Sequence, residues 1–159
     1  MTEPSTGPGG SLGDDRGPTR EEIEYAETNR TIAWGLVGTC IAILTFLLII
    51  YFDVASAGEI DPVLFQLSLS VIVISLFLMS FAGTYYFRVV LPIRKKDMRA
   101  AYHIRVADNL FFFGFMFLAA EPPLMLLTVR FYYAAAIAVA LWVAAMILGY
   151  RIRREFQSR

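Results

Sequence analysis

Four apolar blocks of membrane-spanning length set what this chain can fold into. Thr31 to Phe52 runs 22 residues without a charge, and Val63 to Phe87 runs 25. Leu110 to Val129 runs 20 with Glu121 as its one charged side chain, and Phe131 to Tyr150 runs 20 with none. A helix rises about 1.5 Å per residue, so roughly 20 residues cross a hydrocarbon core of about 30 Å. A soluble helical bundle would carry charged residues on its outer faces. A transmembrane barrel would show segments of roughly 10 alternating residues. The blocks show neither pattern. The sequence predicts an all-α, polytopic membrane protein: four transmembrane helices in a bundle, over about 31–52, 63–87, 108–128 and 131–150.

The polar segments between and around the blocks complete the domain plan. Residues 1–18 are rich in Gly and Pro without apolar periodicity, which predicts a disordered tail. No basic region followed by an apolar core precedes the first block, so that block is expected to serve as an uncleaved anchor. Residues 19–30 read as a short polar cytoplasmic helix running into the first span. Thr19 and Glu22 have capping-box spacing, and acids crowd the first turn. Asp61-Pro62 reads as an N-cap followed by proline at the first helical position. Residues 88–107 form a basic cytoplasmic segment, read as an amphipathic helix leading into the third span. Residues 152–159 form a basic C-terminal tail.

Net charge is zero but unevenly placed. Seven of the fourteen acids lie in the first 27 residues, and nine of the fourteen bases lie in 94–105 and 151–159. The positive-inside rule places the two basic stretches on one side. The sequence thus predicts an integral protein of a prokaryotic plasma membrane with both termini cytoplasmic. The same rule puts the base-free 53–62 loop outside.

The connection between the third and fourth blocks has two candidate paths. Either the third helix runs to Thr128 with a kink at Pro122 and Pro123, or it ends near Ala120 and Glu121-Pro122-Pro123 is the turn. The residue before a proline disfavours helix. Length favours the kinked path, because the turn would leave about 11 clean apolar residues in the third span, short of the roughly 20 a crossing needs.

Glu121 is the outstanding candidate for chemistry. A carboxylate at bilayer depth is costly unless it is paired, solvated or protonated. Pro122 and Pro123 lack an N–H, so carbonyls near Leu118 and Ala119 lose helical partners. Glu121, with Gln66 and Ser70 of the second span as partners, is therefore the candidate ion or proton site. In the blander account Glu121 is a hydrogen-bonded structural residue. On a helical wheel Gln66, Ser70, Ser80 and Thr84 share one face of the second span, opposite Ser68 and Ser75. Alternatively each hydroxyl bonds a carbonyl of its own preceding turn. Asp108 and Asn109 read as the polar start of the third helix. Ala136, Ala140 and Ala144 form a small-residue stripe suited to close helix packing. Packing within the bundle is expected ahead of dimerisation. Cys40 reads as a small buried or lipid-facing residue, and His103 as a surface residue beside Arg99 and Arg105.

No catalytic constellation is visible, and no metal site or cofactor is expected. One cysteine and one histidine per chain do not make a Cys/His metal site. The bases come with no nucleic-acid-binding motif, so no nucleic-acid partner is expected. The partners are the lipid bilayer, with Arg94, Lys95, Lys96, Arg99 and Arg105 positioned for anionic lipid, and a homo-oligomer or larger membrane complex. The functional expectation is a non-enzymatic accessory, scaffold or lipid-interacting subunit. The alternative is an oligomeric channel or a proton- or cation-coupled carrier working through Glu121.

Overall fold

The structure is a computed structural model. It describes residues 18–49, 60–91 and 100–151 in full, and 50–54 and 152–157 by their backbone. Among the described residues five helices follow one another: α1 (Arg20–Val54), α2 (Pro62–Val90), α3 (Ala100–Ala119), α4 (Glu121–Thr128) and α5 (Tyr132–Gln157). α3 and α4 together form one path of spanning length, interrupted by a turn at Ala120. The described residues thus hold four helical passages long and apolar enough to cross a membrane.

Helix ends follow local chemistry. Thr19 and Glu22 close a capping box: the Glu22 carboxylate accepts from Thr19 N at 2.8 Å, and Thr19 Oγ1 accepts from Glu22 N at 3.2 Å. Asp61 caps α2 by accepting from Val63 N at 2.9 Å and Leu64 N at 3.2 Å, with Pro62 in the first turn. α4 ends differently. Arg130 N donates to Leu127 O at 3.0 Å and Phe131 N to Leu126 O at 2.8 Å, with Arg130 at φ 63°. This is a Schellman closure with arginine where glycine is usual.

The helices overrun the apolar blocks. The polar helix expected at 19–30 runs without a break into the first passage, as the opening turns of α1. α3 is described from Ala100, so the amphipathic helix expected ahead of residue 108 continues into the third passage, and α5 continues to Gln157 through the basic tail. Charge ends a lipid-compatible segment but does not end a helix. Only a cap, a proline or a glycine in a special conformation does that. The expected tail at 1–17, the loop at 55–59 and the segment at 92–99 lie outside the described residues.

α2 is the hub. It packs along α1 on one side and along α3 and α4 on the other, while α5 packs mainly on α4. Its buried strip is Phe65, Ser68, Val71, Ile72, Ser75, Met79, Ala82, Gly83, Tyr86 and Val89. One apolar cluster joins Ala26, Ala82, Tyr86, Val89, Ala100 and Ala107. The other, toward the start of α2, joins Cys40, Leu47, Phe65 and Ile72, with Leu118 and Met125 against it. Small residues permit the close approaches. A Cβ on Gly114 would lie 3.1 Å from Leu78 Cβ and 3.3 Å from Met79 N.

α5 is the peripheral element. Only 6% of its most apolar stretch is buried, against 22–28% for the other passages. Ala135 is buried, Trp142 donates its indole N–H to Met116 O at 3.1 Å, and Phe112 lies against Gly149. These α5 positions repeat every seven residues and define its inner face. Ala136, Ala140 and Ala144 lie about 120–200° round the helix from that face and are exposed. Among the described residues the small-residue stripe therefore packs against nothing, where the sequence led to packing within the bundle.

Candidate functional site: a buried carboxylate at a helix break

Glu121 is 3% exposed. It is the first residue of α4, directly after the Ala120 turn. Ser68 Oγ of α2 donates a hydrogen bond to Glu121 Oε1. Glu121 Oε2 is buried and has no hydrogen-bond partner among the described residues. Pro123 beside it is buried and Pro122 is exposed. The break is built by the prolines: neither can donate to the carbonyls of Leu118 or Ala119. The chain turns at Ala120, whose N–H bonds the carbonyls of Met116 and Phe117, both at 3.1 Å. α4 then continues to Thr128, with Arg130 exposed in the turn that follows.

The partner of Glu121 is Ser68, not Gln66. Gln66 and Ser70 are exposed, and Ser70 Oγ donates to Gln66 O at 2.8 Å. Ser80 and Thr84 likewise donate to their own preceding-turn carbonyls, at 2.8 and 2.9 Å. The polar face that converges inward is the opposite one. Membrane helices are apolar all round, so the pattern of apolar residues does not say which hydroxyls face a neighbour, and a serine bonded to its own helix satisfies either face.

A second interhelical contact lies seven residues along. Ser75 Oγ of α2 donates to Gly114 O of α3 at 2.7 Å, and Cys40 Sγ of α1 lies 3.7 Å from Ser75 Oγ. The Ser75 proton is engaged with Gly114, so the thiol is the donor to the serine oxygen. The seven-residue step from Ser68 to Ser75 on α2 matches the seven-residue step from Glu121 back to Gly114. This is the register of antiparallel neighbours. The Ser68–Ser75 heptad, flanked by Phe65, Ile72 and Met79, was the sequence signal for this face.

A third contact gathers three helices. Asp108 Oδ1 accepts from Tyr25 Oη of α1 at 3.1 Å and from Tyr86 Oη of α2. The Tyr25 and Tyr86 rings meet edge to face, with centroids 6.5 Å apart. Asp108 therefore does not open α3. It stands eight residues inside the helix and acts as a common acceptor. Nearby, Arg30 lies over the Phe87 ring and Arg88 over the Tyr85 ring. His103 is half-buried between the rings of Tyr85 and Tyr102, so it is not simply a surface residue. Arg105 is exposed on α3. Arg94, Lys95, Lys96 and Arg99 lie outside the described residues.

Among the described residues no three His, Cys, Asp or Glu side chains converge as a metal would require. Comparison with known proteins gives no match: no family model, no curated protein and no solved structure is significantly similar to this chain.

Proposed function

We propose that the protein is an accessory or scaffold subunit of a membrane assembly, without catalytic activity of its own. Its four passages would form a bundle with both termini cytoplasmic and the basic 88–107 segment against anionic lipid. The observation that carries this reading is the exposed Ala136–Ala140–Ala144 stripe on a helix attached along one edge. Leucine and phenylalanine suit a purely lipid-facing surface as well as alanine does. Small residues at spacing four add the ability to bring another backbone close. The occupant is a second copy of this chain or a different subunit.

A photoreactive side chain at position 140, activated in native membranes, tests this. Crosslinks to protein are expected, and adducts to lipid alone would overturn it. Reporter cysteines in a Cys40→Ala background test the orientation. Position 130 should react with an impermeant reagent from outside and position 96 from inside. The reverse pattern would overturn the topology.

A channel or coupled carrier is the second reading, supported by the buried Glu121 oxygen that has no hydrogen-bond partner among the described residues. Flux through reconstituted vesicles separates the two, since only the carrier requires it.

A further inference from the structure

The Glu121 carboxyl has an environment that suits the neutral acid and not the anion. A carboxylate at a helix N-terminus is ordinarily stabilised by first-turn amides. Here the two amides that follow Glu121 are absent, because the residues are Pro122 and Pro123. The side chain is 3% exposed, it receives one hydrogen bond, from Ser68, and its second oxygen has no partner among the described residues. The carbonyls of Leu118 and Ala119, freed by the same prolines, lie within one turn. They are acceptors, as is a carboxylate oxygen. What this group of atoms lacks is a hydrogen to donate.

Among the described residues no neighbouring charge substitutes for that hydrogen. From α2 the nearest titratable group is Asp61, an acid already engaged as the helix cap. From the adjoining cluster it is Cys40, bonded to Ser75. From α3 it is Asp108, thirteen residues away and bonded to two tyrosines. From α5 they are Tyr132 and Tyr133, both exposed. Arg130 is exposed at the turn, nine residues beyond Glu121, or about 13 Å along a helix. A hard metal cation would want about six oxygen ligands, and no cluster of acidic or metal-binding side chains surrounds the site among the described residues.

Access is unequal. Ser68 is six residues into α2, about 9 Å from its start, and more than twenty residues, about 33 Å, from its far end at Val90. Toward that far end lie Ile72 and Met79, fully buried, and the tight α2–α3 contact at Gly114.

We propose that Glu121 is a proton-binding site, holding a proton in the folded protein and exchanging it with water at the end where α2 begins and α4 turns into α5. This site is independent of whether the chain transports anything. A proton site open to one side responds to the pH of that side. Its loss or gain of charge acts on the α2–α4 contact through Ser68.

Infrared difference spectroscopy of the full chain in oriented vesicles tests this. At neutral pH a protonated-carboxyl C=O stretch is expected, and Glu121→Gln should remove it. Ser68→Ala should raise its frequency by removing a hydrogen bond, which keeps the test decisive if Glu121→Gln does not fold. Alkaline jumps on the side carrying position 130 should bleach the band, and jumps on the other side should not. Absence of the band in wild type, its persistence in Glu121→Gln, or bleaching from both sides would overturn the proposal. So would bleaching by sodium or potassium chloride, but not choline chloride, at fixed pH, which would mark a metal-cation site.

Discussion

Ser68 donates its hydroxyl to Glu121 across the α2–α4 contact, and both residues are buried. This is the only hydrogen bond the Glu121 carboxyl receives among the described residues. Ser68→Ala would leave a buried acid without a partner, which costs about 1–3 kcal/mol. Ser70→Ala removes a hydroxyl bonded only to its own helix and should stay within about 0.5 kcal/mol of wild type. Unfolding of the two variants in one detergent checks the contrast, and equal effects would remove Ser68 from its assigned role.

Tyr86 and Tyr25 share one acceptor, Asp108, but differ in burial: Tyr86 is 1% exposed and Tyr25 47%. Tyr86→Phe should therefore cost about 1–3 kcal/mol, and Tyr25→Phe no more than about 1 kcal/mol. A double-mutant cycle should show coupling of at least about 0.5 kcal/mol, since the pair shares a partner. Strictly additive effects would mean that the two hydroxyls act independently.

Gly114→Ala should destabilise by about 1–3 kcal/mol through overpacking, because the new Cβ meets Leu78 Cβ at 3.1 Å and the Met79 backbone at 3.3 Å. Gly38→Ala meets nothing within 4 Å. In a helix interior it should stabilise by about 0.5–1 kcal/mol. Chemical or thermal denaturation of the two variants reads this difference in sign directly.

Arg130 closes α4 with a left-handed backbone, φ 63°. That conformation costs a non-glycine residue about 1–2 kcal/mol. Arg130→Gly should raise stability by up to about 1 kcal/mol, and Arg130→Val, β-branched at the same position, should lower it. A loss of stability in the glycine variant would show that the arginine side chain contributes more than its backbone costs.

Some of these features were legible because they are local. The Thr19–Glu22 box and the Asp61-Pro62 start depend on residues within one turn, and both close as their spacing predicts. The break after Ala120 was visible in two consecutive prolines. The closure at Arg130 was not, because the usual glycine is missing. The continuation of α5 through the basic tail to Gln157 was also hidden. Hydropathy marks where a chain leaves lipid, whereas helix continues through charged turns until something stops it.

The sequence by itself determined that the chain makes four membrane-length passages and that an acid lies within one of them. Length and apolarity are properties of single segments, and they need no neighbour to be expressed. Only the tertiary structure decided that Ser68, Ser75 and Tyr86 face inward while Gln66 and Ser70 face out, and that Asp108 is shared by two tyrosines from two other helices. Between helices that are apolar on every side, hydrophobic burial distinguishes one rotation from another only weakly. The choice falls to close packing at glycine and alanine and to a few hydrogen bonds between helices, both of which exist only once the helices are together.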